Sequence, residues 1–183
     1  ARARHAPPSR RGRRARLPFS LLHGAWTALL GLALRDPGAE PLFGLLAGLP
    51  DIAFGERDHL PFFVRELLLL RSGRRSSLSS RLGPFEPVLL HWHGDPQLVA
   101  RDLAELCDWQ LAEARAAGGA LDDPACKLYP VLAFAVRDVR DWLELETPRI
   151  EHPLLFTNLG TMAPRTPWPG DEFVRRLEQQ GLR

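Results

Sequence analysis

Two long segments of the chain each open with an Asp-Pro pair and continue with apolar residues at helical spacing. The pairs are Asp95-Pro96 and Asp123-Pro124. Aspartate caps a helix because its carboxylate accepts a hydrogen bond from a backbone N–H of the first turn, and proline fits the first helical position because a nitrogen there needs no partner. Both pairs therefore predict the starts of long helices, and they constrain the fold more than any other feature of the sequence.

Shorter apolar segments elsewhere also favour helix. Leucine and alanine outnumber valine, isoleucine and tyrosine, and unbranched side chains lose little rotamer freedom in a helix. The predicted helices span 19–34, 41–47, 58–71, 84–92, 96–117, 123–145 and 171–180. Pro130 should kink the sixth of these or delay its start. The sequence thus predicts an all-α fold, a helical bundle or a short stack of antiparallel helical hairpins, with a proline-rich irregular segment at 147–169.

Basic residues are concentrated at the start of the chain. Seven of the 24 lysines and arginines lie in residues 1–16, which contain no acid, and the remaining 17 face 22 acidic residues, an excess of five negative charges. We therefore expect a disordered basic tail at 1–17 and a single helical domain at 18–183. An arginine-rich tail could also bind nucleic acid, which is one alternative function.

The two cysteines, Cys107 and Cys126, are too few for a disulfide framework and indicate a reducing compartment. Both lie among apolar residues on predicted helices, where thiols are normally inert. No apolar run reaches the ~18 residues that a membrane span needs. We therefore expect a cytoplasmic protein that has no membrane span and needs no cofactor.

The His91-x-His93-x-Asp95 motif is the strongest candidate for chemistry. It follows an aliphatic run and resembles the first metal-binding motif of the metallo-β-lactamase-like hydrolases, in which two histidines on a strand end share a zinc ion. Pro96 stands where that family has another histidine, and in a helix His91 and His93 would point about 200° apart. A metal-dependent hydrolase is thus an alternative function, while the simpler interpretation is a buried turn in which Asp95 caps a helix.

Acidic residues recur along the two longest predicted helices, interleaved with arginines. They could form a solvated face with local ion pairs, or a docking surface for a basic partner. The candidate partner-binding residues are Asp102, Glu105, Asp108, Glu113, Asp138, Asp141, Glu144 and Glu146. Four tryptophans lie inside apolar stretches and are predicted to be core: Trp26, Trp92, Trp109 and Trp142. Trp168, in the proline-rich segment, is predicted to be exposed.

Residues 85–160 resemble the all-helical immunity proteins that accompany bacterial polymorphic toxins. The resemblance rests on Leu89-Leu90-x-x-x-Gly94-Asp95 at the start of a long helix, the apolar helix around 129–142, and Glu151-His152-Pro153-Leu154-Leu155. It implies an all-helical protein that binds and blocks a cognate toxin, often through acidic contacts, and it implies no catalytic residues. We therefore predict a non-enzymatic protein-binding module, most plausibly an immunity protein.

Overall fold

Six α-helices form most of the chain that the structure describes. This computed structural model describes residues 20–74, 76, 79–116, 127 and 129–157. The helices are α1 (Leu21–Leu34), α2 (Glu40–Ala47), α3 (His59–Arg71), α4 (Glu86–Leu90), α5 (Pro96–Arg115) and α6 (Val131–Trp142). The described residues contain no strand, so the all-α prediction is confirmed.

Helices α1, α3 and α6 pack against one another and enclose the core. Helix α5 lies on α6, α2 lies on α3, and α4 joins α5 to a 3-10 segment, Ser80–Phe85, that contacts α3. The most extensive packing joins α1 to α6, which are far apart in the sequence, so the helices form a bundle rather than a linear stack of neighbours. The largest fully buried side chains include Leu29, Phe62, Phe63, Phe85, Leu132 and Phe134.

The boundaries of the longest helices follow the local signals in the sequence. Helix α5 begins at Pro96, as predicted, and Asp95 caps it by accepting a hydrogen bond of 2.7 Å from the backbone N–H of Gln97. Lys127 is already helical, the backbone leaves the helix at 129–130, and α6 begins at Val131, so Pro130 interrupts the predicted helix instead of kinking it or delaying its start. Capping and the proline restriction act within a few residues, so the sequence alone is sufficient to place these boundaries.

The helix predicted over 84–92 is shorter than expected. Residues up to Phe85 form the 3-10 segment, and the backbone turns at 91–93 directly after α4. Residues 147–157 are irregular, as predicted, except for a 3-10 turn at Pro153–Phe156. The predicted basic tail at 1–17, Cys126, Trp168 and the helix predicted over 171–180 lie outside the described residues.

Two helical glycines provide an opposed pair of stability predictions. A Cβ added at Gly31 would lie 2.5 Å from the Cβ of Ala39 and 3.1 Å from the ring of Phe43, whereas a Cβ at Gly44 would meet nothing within 4 Å. Gly31→Ala should therefore destabilise the protein by about 1–3 kcal/mol through overpacking. Gly44→Ala should stabilise it by about 0.5–1 kcal/mol, because alanine loses less backbone entropy in a helix.

Urea unfolding of both variants and the parent protein tests the pair, since each substitution adds the same single methyl group to a helix. A stabilising Gly31→Ala would contradict the close approach of α1 to Ala39. Equal effects at the two positions would show that backbone propensity, rather than packing, sets both values.

Candidate partner-binding surface

Asp102 lies inside the protein, and the prediction that it belongs to an exposed acidic face is wrong. It is 2% exposed and faces the turn after α4, where its Oδ2 lies 2.6 Å from Nδ1 of His91. The Arg101 guanidinium donates to the other carboxylate oxygen at 3.0 Å. The buried face of α5 includes position 102 as well as Leu103. Through its contact with His91, the Asp102 carboxylate connects α5 to the preceding turn.

Asp138 is also buried, at 9% exposure, and is therefore not on an open acidic face. Arg35, directly after α1, places its Nε 2.6 Å from Asp138 and donates from Nη2 to Asp141 at 2.6 Å. One arginine thus links the end of α1 to two carboxylates on α6. Asp141 keeps almost half of its side chain exposed, so it serves this link and also faces solvent.

Asp108 holds the segment after α6 against α5. Its side chain is exposed, and its Oδ1 lies 3.2 Å from Nε2 of the buried His152. Nδ1 of His152 accepts a hydrogen bond from the backbone N–H of Leu154, so the ring proton sits on Nε2 and is donated to Asp108. The His152-Pro153-Leu154 segment singled out in the sequence therefore has a structural role in this packing.

The other four candidate acids differ in exposure. Glu105, Glu144 and Glu146 are exposed. Glu113 is half-buried and, together with His59, Phe85 and Trp109, lines a cleft of about 310 Å³. The eight predicted residues therefore do not form one continuous face. Instead, the two exposed acids that lie closest together in the sequence, Glu144 and Glu146, follow the carboxyl end of α6.

The candidate metal motif is dispersed by the turn at 91–93. His91 directs Nδ1 to Asp102, His93 is exposed, and Asp95 caps α5. Among the residues with described positions, no three histidine, cysteine or acidic side chains come together in a way that could hold a metal ion. The local structure thus gives His91 and Asp95 separate contacts and leaves His93 at the surface.

Trp142, the last residue of α6, is 62% exposed, so the prediction that it lies in the core is wrong. The guanidinium carbon of Arg71, the last residue of α3, lies 4.4 Å from the centre of the indole ring and 5.1 Å from the ring of Phe43. Glu40 accepts hydrogen bonds of 2.6 and 3.0 Å from the two terminal nitrogens of Arg71. This side-chain hydrogen bond holds the pKa of Glu40 below its ordinary value.

A cleft of about 240 Å³ lies beside these residues, and we call it the Trp142 cleft. Leu32 and Phe43 contribute apolar surface to it, and Trp142 borders it. Its charged lining comprises the two arginines Arg35 and Arg71 and the three carboxylates Asp36, Glu40 and Asp138. The cleft therefore combines an aromatic ring, apolar walls and an excess of acid, which is a suitable environment for a specific contact with a partner.

Comparison with known proteins gives no relative. No protein-family model matches the chain, and neither a curated protein nor a solved structure matches it. Over the described part of the chain, no helix combines the length and the apolar character that crossing a membrane requires.

The sequence did not identify the residues that build the Trp142 cleft. Arg35 and Arg71 stand at helix ends, where a basic side chain is expected for local reasons. The signal that could have found Trp142 is the charge around it, because Asp141 precedes it and Glu144 follows it within two residues. Charged neighbours on both sides are more typical of an exposed helix end than of a core position.

Proposed function

We propose that the chain is a non-enzymatic protein-binding module and that it acts as an immunity protein, inhibiting a cognate bacterial toxin. The observation that carries the proposal is Trp142, whose large apolar side chain is mostly exposed at an acidic helix end. Tryptophan and arginine are the residues most often found to dominate binding energy at protein interfaces, and here Arg71 already packs against the indole ring.

The charge distribution supports a basic partner. Asp141, Glu144 and Glu146 lie within five residues of one another around Trp142, and Glu144 and Glu146 are exposed. Beyond residues 1–16 the chain carries five more acidic than basic residues. A negative surface steers a positive partner into the encounter and fixes its register. Toxins that act on nucleic acids need basic surfaces, which makes them suitable partners for this protein.

Growth rescue tests the proposal. A polymorphic toxin encoded beside the gene of this chain is expressed in bacteria with and without the chain, and the two purified proteins are mixed and passed through a size-exclusion column. We expect restored growth and a stable complex of the two proteins. If the toxin remains fully active and elutes separately at micromolar concentrations, the chain is not its immunity protein.

The acidic residues should contribute mainly to the rate of association. Glu144→Lys together with Glu146→Lys should slow association with the toxin several-fold and flatten its dependence on salt, because exposed charges at an interface rim act on encounter more than on dissociation. Glu146 is preferred to Asp141 for this test because Asp141 pairs with Arg35. Stopped-flow or surface-resonance kinetics at several salt concentrations measures the effect.

Glu56→Lys is the matched control, because Glu56 is exposed in the loop before α3, at the opposite end of that helix from Arg71. Glu56→Lys changes the net charge by the same amount as each of the two substitutions in the test variant. Slowing by Glu56→Lys to the same degree would indicate a general charge effect with no localised acidic surface.

A further inference from the structure

We propose that the Trp142 cleft receives an arginine side chain of the protein partner, which stacks on the open face of the indole ring and pairs with Asp36. The inference rests on the proposed function and specifies the chemistry of the contact. It follows from three features of the cleft: the exposed indole face, the excess of carboxylates, and the rigidity of the surrounding side chains.

The indole ring of Trp142 is only partly covered by the protein. The guanidinium of Arg71 covers the ring at 4.4 Å, yet the side chain remains mostly exposed, so the covered face accounts for only part of its surface. The face of an indole ring attracts cations, and the planar guanidinium of arginine also stacks parallel to it. A second guanidinium on the open face would place Trp142 between two arginines, one from each protein.

The charges of the cleft favour a cation over an anion. Arg71 is bound by Glu40, and Arg35 is bound by Asp138 and Asp141, so both cations of the cleft already have carboxylate partners. Their side chains are only 15% and 21% exposed. An incoming carboxylate would therefore meet arginines that are already paired, and the excess of negative charge would repel it. The same negative charge would attract an incoming guanidinium.

Asp36 supplies an available acceptor. It lines the cleft, it is exposed, and its Oδ1 accepts a hydrogen bond of 2.9 Å from the backbone N–H of Gly38. That bond orients the carboxylate, and no residue with a described position donates to Oδ2. A guanidinium presents several N–H donors in one plane, so it can stack on an aromatic ring while donating sideways to a carboxylate.

The cleft is also formed before any partner binds. Glu40 at the start of α2 holds both terminal nitrogens of Arg71 at the end of α3, and Arg35 joins the end of α1 to α6, so four helices are linked in two pairs around Trp142. Little side-chain entropy should be lost when a ligand enters, which is the condition under which an exposed aromatic residue contributes strongly to affinity.

The experiment uses N-acetyl-arginine N-methylamide as the probe and the indole N–H signal of Trp142 in a nitrogen-15 correlation spectrum as the readout. The signal is assigned from its loss in Trp142→Phe. We expect saturable shifts of this signal with a dissociation constant in the millimolar range. The matched citrulline compound, which has nearly the same shape without the charge, should bind at least fivefold more weakly, and the matched glutamate compound should not shift the signal.

Two variants complete the test. Asp36→Asn should weaken arginine binding several-fold with the Trp142 signal in place, and Glu56→Gln should leave it unchanged. Equal binding of the arginine and citrulline compounds, or binding unaffected by Asp36→Asn, would overturn the proposal. A toxin complex whose affinity is unchanged by Trp142→Ala would also overturn it while leaving the immunity function intact. Conversely, arginine binding at Trp142 without any toxin inhibition would support the contact and refute the function.

Discussion

The thiol of Cys107 should react with disulfide reagents about a thousandfold more slowly in the folded protein than in the unfolded chain at pH 8. The side chain is 1% exposed on α5 and packs among apolar residues that include Ala133 and Leu154. Burial, assisted by the neighbouring charge of Asp108, raises the pKa of the Cys107 thiol from 9.0 to about 12. Only the thiolate is a nucleophile, so three units of pKa lower the reactive fraction by about three orders of magnitude.

The pH dependence follows from the direction of this shift. The folded protein keeps the proton on the sulfur above pH 9, where the unfolded chain has already lost it, so the folded-state rate should keep rising tenfold per pH unit while the unfolded-state rate levels off. Rates measured between pH 8 and 10 by mass spectrometry, in a Cys126→Ser background with and without guanidinium chloride, provide the comparison. A native rate within tenfold of the unfolded one would contradict the packing of this face of α5.

The surroundings of Cys107 also bear on whether its thiol could act as a catalytic nucleophile. His152 belongs to the segment that packs beside Cys107, but its Nε2 donates to Asp108 and its Nδ1 accepts from Leu154. Neither ring nitrogen is therefore available to remove the thiol proton, as a cysteine nucleophile would require. The sequence-based expectation that this thiol is inert agrees with both its pKa and its surroundings.

Local signals predicted the helices well because their causes are local. The start of α5 depends on a hydrogen bond between Asp95 and a residue two positions later, and the start of α6 depends on the restriction that Pro130 places on its own neighbours. The shorter α4 was harder to predict, because an apolar run of this length is compatible with several backbone conformations.

The candidate surface was harder to predict because it depends on contacts between distant segments. Helical periodicity shows which residues share a face of α5, but it does not show that His91 folds back to bury Asp102 on that face. Periodicity likewise assigns Trp142 to the apolar side of α6, yet at the end of the helix the guanidinium of Arg71 covers only part of the indole ring and the side chain stays mostly exposed. The pairing of Arg35 with Asp138 spans more than a hundred residues and has no local signature.

A buried arginine, Arg140, joins two irregular segments and should be among the most sensitive positions in the protein. It is 4% exposed on α6 and donates hydrogen bonds to two backbone carbonyl oxygens, that of Trp92 in the turn after α4 and that of Glu146 beyond α6, the latter at 2.5 Å. Its guanidinium carbon lies 5.4 Å from the centre of the Trp92 ring. Burial lowers the pKa of Arg140 from its ordinary value, which reflects the cost of placing this charge inside the protein.

Arg140→Ala should destabilise the protein by about 2–5 kcal/mol, because it leaves two carbonyl groups without their donors and opens a space beneath Trp92. Arg140→Lys should recover only part of this loss, since one ammonium group cannot reproduce a planar fork that reaches two acceptors.

Arg137→Ala is the control on the same helix. Arg137 is half-buried, and its only described partner is the ring of Phe134 at 5.8 Å, so a loss below about 1 kcal/mol is expected. Thermal and urea unfolding measure all three variants. Equal losses for Arg140→Ala and Arg137→Ala would show that the two carbonyl contacts contribute little, and full recovery by lysine would show that charge alone is sufficient at this position.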